Sequence, residues 1–307
     1  MEEVIVIVGP TCSGKTYLSL RLAEILKSEI ISADSRQIYK YLNIGTAKPT
    51  ISQLEMVKHH FINELKPDDD CNASMFAEKV EIIIEELFEK KIIPVLVGGS
   101  GLYIKALIDG ISKSADTNNE LRKELLALRK KFGDDYLYEE LKKVDIISAD
   151  KMLPQNWKRV IRALEVFRLT GKPIWQHHAN QSRSKKFNYH QIGLLWKRER
   201  LYQNIESRVD EMIRIGLVEE VQSILELGYH KKLNSLNTVG YKEIIQYLDD
   251  EISLDRAVEL IKRNTRRYAK RQMTWFNADK RIEWFDINSL SDLDLIAEKI
   301  AKEINES

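Results

Sequence analysis

GPTCSGKT, Gly9 to Thr16, follows the apolar run Val4 to Val8 and leads into Tyr17-Leu18-Ser19-Leu20-Arg21-Leu22. The stretch satisfies G-x-x-x-x-G-K-[ST] with Gly9, Gly14, Lys15 and Thr16, between a strand-like and a helix-like run. A loop of this kind turns successive backbone N–H groups inward at a helix N-terminus, where an anion is favoured. Pro10, Thr11, Cys12 and Ser13 complete the cradle, Lys15 adds charge, and the Thr16 hydroxyl suits a Mg²⁺ ion. Bound phosphate is therefore expected. Whose phosphate it is, and what becomes of it, depends on the rest of the chain.

Outward from the loop, strands alternate with helices. Glu29 to Ala33 reads as a short strand ending at Asp34. Met75 to Lys90 reads as a helix with Phe76, Val80, Ile83, Ile84 and Leu87 on its core face, and Ile92 to Val97 as a third strand running into Gly98-Gly99-Ser100-Gly101. The alternation predicts an α/β fold, a P-loop NTPase-like parallel sheet flanked by helices. In such a sheet the site lies beyond the carboxyl ends of the strands, so Gly9 to Thr16, Asp34 and Gly98 to Gly101 should converge. Nucleotide-hydrolysing P-loops carry an Asp at the end of the partner strand; here that strand ends in Gly98-Gly99-Ser100, and the carboxylate is Asp34 instead. One carboxylate beside a phosphate cradle suits a base for an incoming nucleophile better than a water-splitting apparatus. The ordinary alternative for Asp34 is a strand-end residue capping a turn.

Around Ile111 the pattern changes. Leu121, Leu125, Leu128 and Phe132, then Leu137, Leu141 and Val144, then Trp157, Ile161 and Leu164 recur at helical spacing, with no strand-like run among them. A small all-helical insertion domain is expected over 113–185, with 1–112 and 186–307 forming the α/β core. After the polar stretch Ala179 to Lys186, Tyr189 to Trp196 reads as a strand. Two long helices, Leu201 to Leu227 and Ser253 to Phe276, and a last strand near Arg281 complete the expected order.

Composition excludes several classes. At 307 residues and 43% hydrophobic, the chain can bury a large core. No apolar stretch approaches the ~20 residues of a membrane span, and Met1-Glu2-Glu3 is acidic where a signal peptide is basic, so a cytoplasmic protein without membrane contact is expected. Cys12 and Cys71 form no CxxC or Cys/His cluster, which argues against a disulfide framework or structural zinc. His59-His60 and His177-His178 are sequential pairs whose side chains point apart, a poor start for a metal site. The charge is near balance overall but not locally: Arg256 to Arg281 holds nine Lys and Arg against Glu259 and Asp279. Arg263, Arg267 and Arg271 recur on one helical face, with Tyr268, Trp275 and Phe276 interleaved, a pattern suited to a polyanion with unpaired bases. Core packing is the ordinary alternative for each aromatic.

GPTCSGKT, SADSRQIY (Ser32 to Tyr39), GTAKPT (Gly45 to Thr50) and GGSGLYIKAL (Gly98 to Leu107), in that order, resemble tRNA dimethylallyltransferases, also called tRNA isopentenyltransferases. RVIRALEV (Arg159 to Val166), TVGYKE (Thr238 to Glu243) and KRQMTWF (Lys270 to Phe276) extend the resemblance over nearly the whole chain. It implies transfer of a dimethylallyl group from dimethylallyl diphosphate to the exocyclic N6 amine of adenine at position 37 of tRNA, in the anticodon stem-loop. The cradled phosphates are then those of an isoprenoid leaving group. The resemblance implies that Asp34 is the base, that Lys15 and Thr16 hold diphosphate and Mg²⁺, that Arg208 in SRVDEM grips the diphosphate, and that Ser100, where the family usually has Thr, offers a hydroxyl near the transferring carbon. It places tRNA contacts at Asp34, Ser35, Arg36 and Gln37, at Ser100 and Arg122, and at Gln155, Asn156, Trp157, Lys158 and Arg159. Further contacts fall at Thr238, Gly240, Tyr241 and Lys242, and at Lys270, Arg271, Gln272 and Trp275.

Departures from the family pattern are few. Cys12 stands where a small residue such as Ala is common, and a thiol at a helix N-terminus is a candidate for oxidation. Met152 to Arg159 lacks the His and Asp often seen in that segment. Nothing after Cys71 supplies thiolates for the C-terminal zinc finger of eukaryotic relatives, so the bacterial type, acting as a monomer, is expected. The rivals are an adenylate isopentenyltransferase using free nucleotide, a P-loop small-molecule kinase, and a noncatalytic RNA-binding protein. The insertion and the basic helix argue against the first; Lys15, Thr16, Asp34 and Arg208 together argue against the last.

Overall fold

The computed structural model describes residues 2–110, 118–179 and 186–306. The chain divides into two compact units, Met1–Ile108 with Lys185–Ser307, and Asp109–Ser184. The expected boundary at 112/113 and the polar residues 180–185 lie outside the described residues.

In the first unit β1 (Glu3–Val8) leads through the phosphate loop into α1 (Lys15–Leu26), then β2 (Ile30–Ser32), α2 (Ile51–Met56), β3 (His59–His60), α3 (Ala73–Glu89), β4 (Val95–Val97) and α4 (Gly101–Ile108). The helical unit contains α5 (Asn119–Phe132), α6 (Asp134–Val144), α7 (Ile146–Ala149), α8 (Trp157–Thr170) and α9 (Ile174–Ala179). The chain returns through β5 (Asn188–Trp196), α10 (Arg198–Arg214), α11 (Leu217–Glu226), α12 (Tyr241–Leu248), α13 (Leu254–Phe276), β6 (Glu283–Ile287) and α14 (Ser291–Glu306).

All strand pairs are parallel, in the order β3-β2-β4-β1-β5-β6. β1 is central, paired with β4 on one side and β5 on the other, and Val4 to Val8 have no exposed surface. Burial on both faces explains why that strand is an unbroken apolar run rather than an alternating one. The chain winds to one side of β1 through β4 and to the other from β5 onward, which puts a topological switch point at the end of β1, where the phosphate loop starts. Ile5, Ile7, Leu18, Leu22, Ile192 and Leu194 share a core with Leu293, Ala297 and Ile300 of α14, a helix the periodicity reading omits.

The expected helix Leu201 to Leu227 is two helices. α10 stops at Arg214, and Gly216, at φ 106°, caps the start of α11 in a left-handed backbone that a residue with a Cβ adopts at a cost. α3 begins at Ala73, two residues ahead of the expected Met75, because Asn72 Oδ1 accepts from the N–H groups of Ser74 and Met75 and caps it there. The helical unit has its own core of Leu125, Leu137, Leu141, Val160, Ile161 and Leu164; Phe132, expected with them, is instead half-exposed and stacks on Tyr136.

Candidate active site

The loop between β1 and α1 is shaped by backbone conformation. Gly9 (φ 146°), Cys12 (φ 64°) and Gly14 (φ 93°) all have positive φ, which curls the chain toward the start of α1. Cys12 does this with a side chain, a strained choice of the kind found at ligand sites; its thiol is buried in the core. The Ser13 carbonyl accepts from Trp196 Nε1 at 2.9 Å, which ties the loop to the end of β5. Lys15 Nζ donates to Pro10 O at 2.6 Å.

Two further turns meet this loop. Gly98 N–H donates to Ile7 O at 3.1 Å, Ala33 N–H to Val97 O at 2.7 Å, and Ser100 N–H to Ala33 O at 3.2 Å, so the ends of β1, β2 and β4 are stitched together. A Cβ on Gly98 would lie 2.1 Å from Ala33 O, which requires glycine there. Asp34 Oδ1 accepts from Arg36 N–H at 2.8 Å, a turn-forming bond that orients its carboxylate. The capping role and a chemical role for Asp34 thus coexist. Ser100 Oγ accepts from Ser35 N–H at 3.0 Å; the cavity wall beside it is Gly98 and Gly99.

These turns open onto a cavity of about 490 Å³. The loop residues Thr11 to Thr16 form one wall, Asp34, Arg36 and Gln37 another, and Arg208 of α10 with Thr265, Tyr268 and Gln272 of α13 a third. Lys48, Thr238 and Gly240 also line it. Burial and the positive charge of Arg208 hold the Lys15 ammonium down at about 8, against the opposing pull of Asp34 and Cys12. Two cations lining one cavity disfavour each other, and a bound polyanion removes the conflict. Lys48 is likewise lowered to about 8 by burial, countered by Glu220 and Asp34. Its ammonium donates to Tyr39 O at 2.7 Å and Asn63 Oδ1 at 2.6 Å. The sequence reading misses Lys48 as a cavity residue, although it lies inside the quoted GTAKPT.

The residues expected at the RNA divide into surface and interior groups. Lys270 and Arg271 are exposed on α13, as is Arg267, and none of the three makes an ion pair among the described residues. Trp275 is 46% exposed. Phe276, in contrast, is buried, and Tyr268 turns into the cavity. The excess charge of the helix is smaller than its sequence suggests: Lys262 pairs with Asp210 at 2.6 Å and Arg266 with Glu206 at 2.7 Å, both on α10. Tyr241 is fully buried, so its ring belongs to the core rather than to a contact surface. Gln272 is 6% exposed, with both ends of its amide engaged within the protein. Lys242 is exposed.

In the helical unit Gln155, Asn156, Lys158 and Arg159 are exposed. Trp157 packs against that unit's core under the Arg129 guanidinium, 4.0 Å from its ring. Arg122 is drawn to the fully buried carboxylate of Glu165, which also accepts from Arg162 at 2.7 Å. That pairing makes Arg122 part of the unit's internal charge balance.

Among the described residues no group of three or more His, Cys, Asp or Glu side chains is placed to hold a metal. No described helix is long and apolar enough to cross a membrane.

A parallel sheet with a glycine-rich loop at its switch point, and a cavity there lined by Asp34 together with Lys15, Arg36, Lys48 and Arg208, defines a P-loop-like α/β protein whose site suits an anionic ligand. The IPP transferase family model matches residues 37–279, and the chain belongs to that family. It is 45% identical over 304 residues to the tRNA dimethylallyltransferase of Pelotomaculum thermopropionicum, covering 98% of this chain and 96% of that protein. Among solved structures it resembles the full-length tRNA isopentenylpyrophosphate transferase of Bacillus halodurans, with TM-score 0.73 and 36% identity over 100% of this chain and 98% of that one. It also resembles a eukaryotic dimethylallyltransferase acting on tRNA, with TM-score 0.84 and 29% identity over 98% of this chain and 78% of that one.

Proposed function

We propose that this chain transfers a dimethylallyl group from dimethylallyl diphosphate to the exocyclic N6 amine of adenine at position 37 in the anticodon stem-loop of tRNA, releasing diphosphate. The observation that carries this reading is that Lys15, Arg208 and the phosphate loop line one cavity together with Asp34. The first group suits a leaving diphosphate, and the second an incoming amine.

In this scheme the N–H groups of the loop, Lys15 and Arg208 bind the diphosphate and stabilise the charge it gains as the carbon–oxygen bond breaks. Asp34 Oδ1 is fixed by the backbone, while Oδ2 accepts no hydrogen bond among the described residues, leaving it to take the proton from the amine as the carbon–nitrogen bond forms. Ser100, bonded to Ser35 N–H, keeps the Asp34 turn in place. With no carboxylate cluster among the described residues, a Mg²⁺ ion would be held by the Thr16 hydroxyl, the diphosphate and water, a set this ion favours. It would supply neutralisation of the leaving group's charge. Lys270 and Arg271 on α13, and Lys158 and Arg159 in the helical unit, would hold RNA phosphates. The protein acts as a cytoplasmic monomer in this reading.

The test is to incubate the protein with labelled dimethylallyl diphosphate and Mg²⁺, and with either an unmodified anticodon stem-loop or AMP. Label in the stem-loop adenine with little in AMP is expected. Equal labelling of both, or of AMP alone, would sink the tRNA reading.

A further inference from the structure

Gln272 joins three parts of the molecule through one amide. Its Oε1 accepts from Thr11 N–H in the phosphate loop at 2.9 Å, and its Nε2 donates to Gly99 O at 3.0 Å. Only this orientation of the amide satisfies both partners. The fit leaves no spare room, since a Cβ on Gly99 would lie 2.2 Å from Nε2. One turn further along α13, Trp275 lies against Gly101, where a Cβ would be 2.2 Å from the indole ring. Between Gly99 and Gly101, Ser100 holds Ser35 beside Asp34. Lys270 and Arg271, immediately before Gln272 in sequence, are exposed on the same helix. A shift of α13 of even an ångström therefore displaces a hydrogen-bond partner of the phosphate loop.

We propose that Gln272 is a positioning residue that couples RNA held on α13 to the shape of the phosphate loop, so that the acceptor tightens the grip on the diphosphate. The inference rests on the proposed function for the identity of the two ligands. It replaces the RNA contact expected for Gln272, because the amide is buried and both its ends are occupied within the protein. Coupling of this kind is reciprocal: diphosphate must strengthen RNA binding by the same factor.

The test measures the dissociation constant of inorganic diphosphate with Mg²⁺ by calorimetry, with and without a saturating anticodon stem-loop; without a prenyl group no transfer occurs. In the unsubstituted protein the stem-loop should lower that constant by at least ~5-fold, the lower end of typical couplings. Gln272→Met, which keeps the side chain's length but neither hydrogen bond, should reduce the factor to below ~2-fold while RNA affinity without diphosphate changes less than ~3-fold. Gly99→Ala should do the same from the other side, by pushing the amide away; it serves if the first variant does not fold. An RNA-contact role predicts the reverse pattern, weaker RNA binding with coupling intact, and overturns the proposal. So does a factor unchanged in either folded variant, or absent from the unsubstituted protein. Prenyl transfer to the stem-loop is scored separately: its absence counts against the proposed function, its presence without coupling against Gln272 alone.

Discussion

The Tyr241 hydroxyl donates to Glu220 Oε1 at 2.6 Å, and the same carboxylate accepts from three successive N–H groups, those of Asn43, Ile44 and Gly45, at 3.0, 2.7 and 3.1 Å. A carboxylate gripped by a nest of amides holds the loop that brings Thr46, Ala47 and Lys48 to the cavity. Tyr241→Phe removes one of four donors and should lower stability by about 1 kcal/mol. Gly45→Ala places a Cβ 2.4 Å from the Tyr241 ring, and the rigid ring cannot yield, so a loss of ~1–3 kcal/mol is expected. Urea unfolding of the two variants measures both; a neutral Gly45→Ala would show that the loop is free to move.

Asp34→Asn keeps the turn, because the amide oxygen still accepts from Arg36 N–H, but it cannot take up a proton. Transfer should fall by ~10² to 10⁴-fold while RNA binding is retained. Single-turnover rates and a filter-binding assay separate the two effects, and near-normal turnover would remove Asp34 as the base.

The buried Lys15 ammonium destabilises the folded state at neutral pH. Its pKa is lowered to about 8 in the folded protein, below the value of an unfolded lysine, so at neutral pH the folded state holds a charge it would rather lose. That penalty is fully present below about 8 and disappears as the pH rises between the folded and unfolded values. Lys15→Met should therefore raise the thermal midpoint at pH 7 and weaken diphosphate binding at the same time. In the unsubstituted protein, diphosphate affinity should decline as the pH passes above about 8, with Lys48, lowered to a similar value, contributing to the slope. Calorimetry across pH 6.5 to 9.5, a range of roughly three units around the perturbed group, is the check; a variant both destabilised and unable to bind would mean that Lys15 is structural.

Arg267 and Arg271 are exposed and free of ion pairs among the described residues, whereas Lys262 and Arg266 are paired with α10. Replacing the first two by Ala should weaken tRNA binding and reduce the slope of log affinity against log salt by up to ~0.7 to 0.9 for each phosphate no longer neutralised. Replacing Lys262 and Arg266 should leave the slope nearly unchanged and lower stability instead. An identical effect of both pairs would mean that the ion pairs open when RNA binds.

The phosphate loop, its flanking strand and helix, and Asp34 at a strand end are contiguous in sequence. Their geometry follows from short-range rules: where glycine permits positive φ, where apolar residues alternate or recur, where a carboxylate can cap its own turn. That is why the parallel α/β architecture and the place of the candidate site are legible in Gly9 to Thr16 and the segments around it. The break at Gly216 and the helix after Ser291 also have local signals, though weak ones amid long polar stretches. Other features have no local signature. Gln272 and Thr11 are 261 residues apart, and Glu220 and Ile44 are 176 apart; a glutamine or a glutamate on a helix is indistinguishable from any solvated neighbour until packing brings a distant N–H group within reach. The same holds for charge, since Arg266 and Arg267 are adjacent in sequence yet one is paired with α10 and the other is exposed. Local conformation depends on neighbours along the chain and was determined by the sequence directly. Which polar groups are buried, paired or left free depends on which surfaces meet, and that was decided only when the helices packed around the sheet.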